Sequence, residues 1–288
     1  MPMTWTPFAT GGAEPTIAGR LAGAGPRVLL VHGGPGMNFD YLRDLAEELA
    51  RDHEVAWYQQ RGLEPSSTDG PFTVGENVAD ARRVLDRLGW DTAYVVGHSW
   101  GGQLVLHIAT ALPERVSGVL AVDPLGSVGD GRWPEFDAEI FRRTPEAVRE
   151  RARALDEQMM AGDVTDDLAV EQMGLIWPAY FADPSSAPPM PAVRLSPACM
   201  SAMHPSILAE LPGLAARLPA IRVPVGFVHG AMSPMPITAS TDAADRIPGA
   251  WVDVVDGAGH FIWVESPGAV GRALRRLTNA ATAPESPS

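Results

Sequence analysis

Ser99 stands where the sequence could activate a nucleophile. It lies in "GHSWGG" (97–102), which follows the apolar run "AYVV" and opens a stretch with helical periodicity, the strand, abrupt turn and helix that suit an exposed nucleophilic serine. Gly97 and Gly101 allow close backbone approach where a Cβ would clash. The first N–H groups of the helix would face a developing negative charge. The pattern predicts a serine nucleophile for acyl transfer; a serine that only begins a helix is the alternative.

A glycine-rich segment, "HGGPG" (32–36), follows the first strongly apolar run. Its backbone N–H groups could face a substrate oxygen, so we expect Gly34 and Trp100 to donate to an oxyanion together. A simple glycine turn after a strand is the alternative. The spacing matches neither of the usual phosphate-binding glycine patterns.

His260 is the expected general base. Histidine suits that role at neutral pH, and His260 lies in the glycine loop "GAGH" (257–260), after the last predicted strand. It also follows Ser99 in the chain, in the order nucleophile, acid, base. The other histidines are expected to hold loops or to sit in structural hydrogen bonds.

The elements that must position these residues read as an alternation of strands and helices. Short runs rich in Val and Leu, such as "RVLLV" (27–31) and "VSGVLAV" (116–122), alternate with amphipathic stretches, which predicts an α/β fold with a mainly parallel sheet covered by helices on both faces. The interval from 125 to 218 breaks the rhythm and is dense in Pro, Met and aromatic residues. We therefore expect a core formed by 1–124 and 219–288 and an inserted, mostly helical cap at 125–218.

Composition excludes several classes of function. The net charge of −13 over 288 residues disfavours nucleic acid and anionic membrane surfaces as partners. A single cysteine, Cys199, argues against a disulfide-stapled secreted domain, and no signal peptide or membrane-spanning run is evident. We expect a cytoplasmic enzyme that acts on a small molecule, with no metal or organic cofactor; the oligomeric state stays open.

The motifs together resemble the α/β-hydrolase superfamily, and within it the proline iminopeptidase-like branch. "HGGPG", "QQRG" (59–62), "GHSWGG" and "GAGHF" occur in that order at similar spacing. The resemblance covers about 27–124 and 220–278, and it implies an eight-stranded type of sheet with a lid after the sixth strand. It also implies Ser99 as nucleophile, His260 as base, and Gly34 and Trp100 as oxyanion donors. One departure is Gln59, where the branch usually has an aspartate.

The second departure concerns the acid of the triad. In "VHGAMSPMP" (228–236) the residue at the usual position of the acid is Ser233. Asp123 ends the strand after the nucleophile helix, at the same predicted edge of the sheet, and resembles the acid of those superfamily members that carry it there. We therefore predict Asp123 as the acid that orients His260. A dyad without a carboxylate stays open, as do three other acids: Asp242, Asp253 and Asp256.

Aromatic residues and methionines of the insertion could line an adaptable apolar pocket, although any one of them could instead form the core of the cap. This favours hydrolysis of an ester, lactone or related acyl bond in a small apolar substrate. A prolyl aminopeptidase is the runner-up, and a non-hydrolytic binder or lyase of the same fold stays open. The pocket residues expected are Trp133, Phe136, Trp177, Tyr180 and Phe181.

Overall fold

The computed structural model describes residues 3–11, 15–161 and 164–282. Eight strands of this part of the chain form one sheet in the order β1-β2-β4-β3-β5-β6-β7-β8. From β4 to β8 along the sheet, every neighbouring pair is parallel, which confirms the predicted α/β fold. The strands are β1 (Thr6–Ala9), β2 (Ala18–Ala22), β3 (Arg27–Val31), β4 (Glu54–Tyr58), β5 (Ala93–His98), β6 (Val116–Val122), β7 (Val225–Gly230) and β8 (Trp251–Val255).

Two strands at one edge were not predicted. β1 and β2 pair antiparallel with each other, and β2 continues antiparallel onto β4. Their sequences, "TPFA" and "AGRLA", contain Pro, Gly and Arg instead of a run of β-branched residues, so the strand signal is weak. Gly19 lies in β2 because a Cβ there would come within 2.6 Å of Phe8 and of the Trp57 carbonyl.

Helices cover both faces of the sheet, because alternate residues of each central strand point to opposite sides. In β3, Leu29 and Val31 enter the core under α2 and α3, whereas Val28 and Leu30 enter the core under α1 and α10. The helices are α1 (Arg43–Leu49), α2 (Val74–Leu88), α3 (Trp100–Ala111), α4 (Trp133–Arg143), α5 (Glu146–Ala161), α6 (Asp166–Ile176), α7 (Pro197–Arg217), α8 (Thr238–Ala244), α9 (Ile262–Glu265) and α10 (Ala269–Thr282).

Helix α2 shows how local sequence sets these boundaries. Thr73 precedes it, and its hydroxyl accepts the N–H of Glu76, the capping arrangement that satisfies a free amide of the first turn. Gly89 ends it in the left-handed conformation with φ of 66°, which costs glycine no steric strain.

Among the described residues between β6 and β7, four α-helices, α4 to α7, occupy the interval 125–218 that breaks the sequence rhythm. We call them the inserted helices. The last of them, α7, packs on α2 and α3, so the insertion is bound to the core along its C-terminal part. The division into a core and a cap at 124/125 and 218/219 stays a prediction, and residues 1–2, 12–14, 162–163 and 283–288 lie outside the described residues. No helix in the described part of the chain is both long and apolar enough to cross a membrane.

Candidate active site

Ser99 and Asp123 leave the sheet side by side. β5 and β6 are adjacent and parallel, and their last paired residues are His98 and Val122. The residues that follow the two strands, Ser99 and Asp123, therefore lie at the same level of the sheet. The N–H of Ser99 donates to the Val122 carbonyl at 3.0 Å, and the N–H of Leu125 donates back to the Ser99 carbonyl at 3.1 Å. The two strand ends are thus tied to each other by backbone hydrogen bonds.

The turn at Ser99 is strained and depends on glycines. Ser99 has φ of 57° and ψ of −122°, a conformation that a non-glycine residue adopts only when the surrounding structure holds it. A Cβ on Gly97 would collide with the carbonyl of Gly101, and a Cβ on Gly101 would collide with the carbonyl of Val31. The two glycines therefore allow helix α3 to start directly against β5 and β3.

Asp123 contacts the imidazole of His260. Nδ1 of His260 lies 2.5 Å from Oδ2 of the carboxylate, and both side chains are buried. The hydroxyl of Ser233 donates to the same oxygen at 2.5 Å, and the N–H of Gly230 donates to Oδ1 at 3.0 Å. A carboxylate that accepts from Nδ1 fixes the tautomer that leaves Nε2 free as a base. The residue at the expected acid position, Ser233, is a donor to the carboxylate.

The surroundings keep Asp123 ionised. Burial alone would raise the pKa of this carboxyl group, but the nearby His229, the hydrogen bond and charge of His260 and the hydrogen bond from Ser233 outweigh burial and lower the pKa below its usual value. The imidazole of His229 lies 3.5 Å from Oδ1 of Asp123, whereas His260 contacts the other oxygen, Oδ2.

The other candidate acids lie in different contacts. Asp242 forms an ion pair with Arg132, and Asp253 forms one with Arg276 at 2.8 Å. Asp256 is exposed. Among the four candidates, the structure brings Asp123 to His260.

Contacts from the insertion and from α9 hold the loop of the base. The N–H of His260 donates to the carbonyl of Tyr180 at 2.8 Å. Glu265 accepts the N–H groups of Gly259 and Ala182, at 2.7 and 2.9 Å. A Cβ on Gly259 would lie 2.5 Å from the Tyr180 carbonyl, so only glycine permits this approach. Glu265 gave no signal in the sequence, because its partners come together only in the fold.

The two predicted oxyanion donors, Gly34 and Trp100, lie in segments next to Ser99. Trp100 is the first residue of α3, and the first N–H groups of a helix lack an intrahelical acceptor. Gly34 has φ of 118° and lines the same cavity as Ser99. The side chain of Gln60 joins the two segments, because its amide accepts from the indole Nε1 of Trp100 at 2.9 Å and donates to the carbonyl of His32 at 2.5 Å.

Gln59 occupies the position at which the proline iminopeptidase-like branch usually has an aspartate. Its Oε1 accepts the N–H of Phe39 at 2.9 Å, and its Nε2 donates to the carbonyl of Met37 at 3.1 Å. The amide thus serves an N–H and a carbonyl of the segment after "HGGPG", and a carboxylate could satisfy only the first. The departure from the family pattern therefore leaves the loop supported.

A cavity of about 150 Å³ lies between the strand ends and the inserted helices. Ser99 and His260 line it on the side of the sheet, and four of the five predicted pocket residues, Trp133, Phe136, Trp177 and Tyr180, line it on the side of the insertion. Phe181 is not among its lining residues; it is buried behind Trp177 and Phe261, with ring centroids 5.3 Å from each. Most other lining side chains are apolar: Met37, Leu125, Ile140, Phe141, Met159, Met173, Ile176, Leu195, Met200 and Phe261.

A second cavity of about 490 Å³ adjoins the first on the side of α4, α5 and α7. The two cavities share seven lining residues: Gly34, Pro35, Trp133, Asp137, Asp156, Met159 and Met200. We call the first the inner cavity and the second the outer cavity. Asp137 of α4 and Asp156 of α5 line both cavities. One acid on a charged amphipathic helix carries no local signal of such a position, so the sequence alone does not single out either of them.

The carboxyl groups of Asp137 and Asp156 favour their protonated forms more than usual. Desolvation by the surrounding protein, with the charge of Asp156 second, raises the pKa of Asp137 to about 6. Desolvation also raises the pKa of Asp156, with Glu157 second. The side chain of Asp137 is accessible to solvent in the cavity, but protein encloses it closely enough to weaken its hydration.

Comparisons with known proteins agree with this architecture. The sequence model of the alpha/beta hydrolase fold family matches residues 26–267. The esterase YbfF of Escherichia coli (strain K12) is 28% identical over 253 residues, which are 88% of this chain and 92% of that protein. A proline iminopeptidase of Lactobacillus delbrueckii subsp. bulgaricus is 26% identical over 293 residues, covering 91% of this chain and 92% of the relative.

A solved structure of similar fold is a thermophilic esterase from Thermogutta terrifontis, with a TM-score of 0.67 and 22% identity. That match covers 98% of this chain and 100% of the esterase. The family match extends over most of the sequence and includes both strand ends that carry Ser99 and Asp123. The chain therefore belongs to the alpha/beta hydrolase fold family and is a hydrolase of that family.

Proposed function

We propose that the protein is a serine hydrolase that cleaves an ester, lactone or related acyl bond of a small, largely apolar substrate through an acyl-enzyme. The observation that carries the proposal is the contact between Asp123 and His260 at 2.5 Å, beside a cavity that both His260 and Ser99 line. In this mechanism His260 takes the proton of the Ser99 hydroxyl, which attacks the substrate carbonyl.

The remaining steps use the same groups. The N–H groups of Gly34 and Trp100 stabilise the tetrahedral oxyanion. His260 gives its proton to the leaving group, and it then activates the water that cleaves the acyl-enzyme. Asp123 stays ionised and stabilises the imidazolium that forms in both steps.

The cavities support a neutral substrate of limited size. An apolar cavity of about 150 Å³ accommodates a group the size of benzene, which suits a short acyl chain or a single ring. The outer cavity contains three acids, Asp130, Asp137 and Asp156, and no Lys or Arg among its lining residues in the described chain. Carboxylates with no neighbouring cation repel a substrate whose leaving group carries a negative charge.

The acids of the cavity favour a second candidate function, a proline iminopeptidase-type aminopeptidase. Such an enzyme needs carboxylates near the site to pair with the ammonium group of the substrate, and Asp137 and Asp156 line the inner cavity together with Ser99. The apolar lining and the small number of polar groups favour the ester over the peptide.

Labelling by a fluorophosphonate probe tests the proposal. We expect the wild-type protein to be labelled and to hydrolyse p-nitrophenyl butyrate, and we expect Ser99→Ala to lose both properties while it unfolds at a similar temperature. Faster turnover of proline p-nitroanilide than of the ester would favour the aminopeptidase. A wild-type protein that neither labels nor turns over an activated ester is not a serine hydrolase.

A further inference from the structure

A chain of hydrogen bonds through Tyr41 and His98, which line the inner cavity beside Ser99, joins three parts of the site. The N–H of Gly33 donates to the hydroxyl of Tyr41 at 2.6 Å, and this hydroxyl lies 2.9 Å from Nδ1 of His98. On the other side of the imidazole, Nε2 of His98 lies 3.0 Å from the carbonyl oxygen of His260. Tyr41 and His98 are 8% and 1% exposed, so water does not compete effectively for these bonds.

Only one arrangement of protons satisfies every bond. A carbonyl oxygen can only accept, so Nε2 of His98 carries a proton and donates to His260. Burial, and next the neighbouring His260, hold the pKa of His98 well below its usual value, despite the opposing effects of Asp123 and of the hydrogen bond to the His260 carbonyl. The ring is therefore neutral, and its Nδ1 must accept from the hydroxyl of Tyr41. Burial also raises the pKa of Tyr41, which keeps the phenol protonated as the donor.

These hydrogen bonds connect the three groups that the reaction must align. Gly33 precedes Gly34, and a Cβ on Gly33 would lie 2.9 Å from Cβ of Ser99, so the oxyanion loop is packed against the nucleophile. His98 is the residue before Ser99, at the end of β5. His260 carries the carbonyl that accepts the last bond.

We propose that Tyr41 and His98 are positioning residues, which hold the loop 32–36 and the backbone of His260 at fixed positions relative to Ser99. Their hydroxyl and imidazole act through Gly33 and His260, and the acylation step depends on them more than substrate binding does. The inference rests on the proposed serine-hydrolase function.

Three substitutions distinguish between the hydrogen bonds on the two sides of the His98 imidazole. Tyr41→Phe removes the donor to His98 and the acceptor of Gly33. His98→Asn places an amide oxygen near the position of Nδ1 and loses the bond to the His260 carbonyl, whereas His98→Gln places an amide nitrogen near Nε2 and loses the bond to Tyr41. The matched control is Tyr58→Phe, because Tyr58 is fully buried and its hydroxyl has no hydrogen-bond partner in the described residues.

We expect Tyr41→Phe to lower kcat for p-nitrophenyl butyrate about 10-fold or more while KM changes less than about 3-fold, the pattern of an interaction needed in the transition state. Tyr58→Phe should leave both constants unchanged. Tyr41→Phe and His98→Gln cut the same bond, so the double variant should be much less impaired than the product of the two effects. Tyr41→Phe and His98→Asn remove different bonds, so their effects should be closer to multiplicative.

Hydrogen exchange gives a readout that does not need activity. Exchange of the segment 31–37, followed by mass spectrometry, should accelerate in Tyr41→Phe and not in Tyr58→Phe, because the amide of Gly33 loses its acceptor. Unchanged exchange overturns the proposal even if the wild-type protein proves inactive. A wild-type kcat in Tyr41→Phe, or a loss confined to KM, overturns it as well, whereas failed labelling of the wild-type protein refutes only the proposed function.

Discussion

The hydroxyl of Ser233 donates a hydrogen bond to the same oxygen of Asp123 that contacts the imidazole of His260. Ser233 follows β7 and Asp123 follows β6, so the ends of two neighbouring strands meet at one histidine. The residue after β7 thus lies next to the acid that contacts the base, and its side chain donates a hydrogen bond to that acid. Two different strands therefore offer a position from which an acid could orient His260.

The assignment of the acid predicts different effects for two aspartates. Asp123→Asn should lower kcat about 10³-fold or more, because an amide no longer favours the tautomer and the imidazolium that catalysis needs. Asp242→Asn should leave kcat within about 2-fold, since its partly exposed ion pair with Arg132 contributes little. Steady-state kinetics on p-nitrophenyl butyrate and a thermal unfolding curve for each variant make the comparison. The opposite ranking of the two variants would exclude Asp123 as the acid.

The proximity of Ser233 and Asp123 predicts that the acid can be moved. In the inactive Asp123→Asn background, Ser233→Asp should restore kcat by about 10-fold or more, because the new carboxylate lies beside the imidazole and can again stabilise its charge. The control is Asp123→Asn with Ser233→Asn, which adds a similar volume without charge and should restore nothing. Equal activity of the two double variants would show that position 233 cannot orient His260.

The acids of the outer cavity predict a pH dependence that differs between substrates. The pKa of Asp137 is raised to about 6, so this carboxylate becomes neutral as the pH falls through 6 and its attraction for a cation is lost. KM for a cationic ester should therefore rise below pH 6 relative to KM for a neutral ester of the same size, and Asp137→Asn should remove this difference. Glu171→Gln is the control, because Glu171 pairs with Arg151 away from both cavities. A ratio of KM values that is independent of pH in the wild-type protein contradicts the prediction.

The size of the inner cavity predicts a preference for short acyl chains. Ile140 lines this cavity and is 4% exposed, so Ile140→Ala should move the optimum of kcat/KM in a series of p-nitrophenyl esters to longer chains. The free energy of unfolding of the Ile140→Ala variant should fall by about 2–4 kcal/mol, as is usual when a large core side chain is truncated. Ile247→Ala, at a core position outside the cavity with 3% exposure, should cost similar stability without a shift in the optimum. A shift in both variants would mean that general loosening, and not cavity volume, sets the preference.

His107 predicts part of the loss of stability in acid. Burial, with the charge of Arg217 second, lowers its pKa from the usual 6.5 to about 3, so below pH 6.5 the unfolded chain binds a proton that the folded chain excludes. The free energy of unfolding should therefore fall as the pH falls between 6.5 and 3. In His107→Gln, urea unfolding should show a slope against pH that is shallower by up to about 1.4 kcal/mol per pH unit. Equal slopes in the two proteins would assign the acid sensitivity to other groups.

Residues that follow buried strands could be predicted from the sequence, because strand ends of a parallel sheet meet at one edge. That rule led to Ser99, Asp123 and His260 without coordinates, and the structure places them at one edge. It could not lead to Tyr41 or Asp156, whose partners are 57 and 19 residues distant and lie on other elements. Aromatic composition led to Phe181, but it does not tell which side of a helical turn faces a cavity. β1 and β2 were missed because tertiary pairing, and not local propensity, makes them strands.

The hydrogen bond from the N–H of Leu125 to the carbonyl of Ser99 attaches the start of the insertion to the nucleophile. It lies two residues after the acid and before the first inserted helix begins at Trp133. Further along the insertion, the carbonyl of Tyr180 accepts the N–H of His260. The insertion is therefore anchored to both the nucleophile and the base, so a displacement of its helices would strain the backbone at both catalytic groups and couple access to the cavity with the geometry of the reaction.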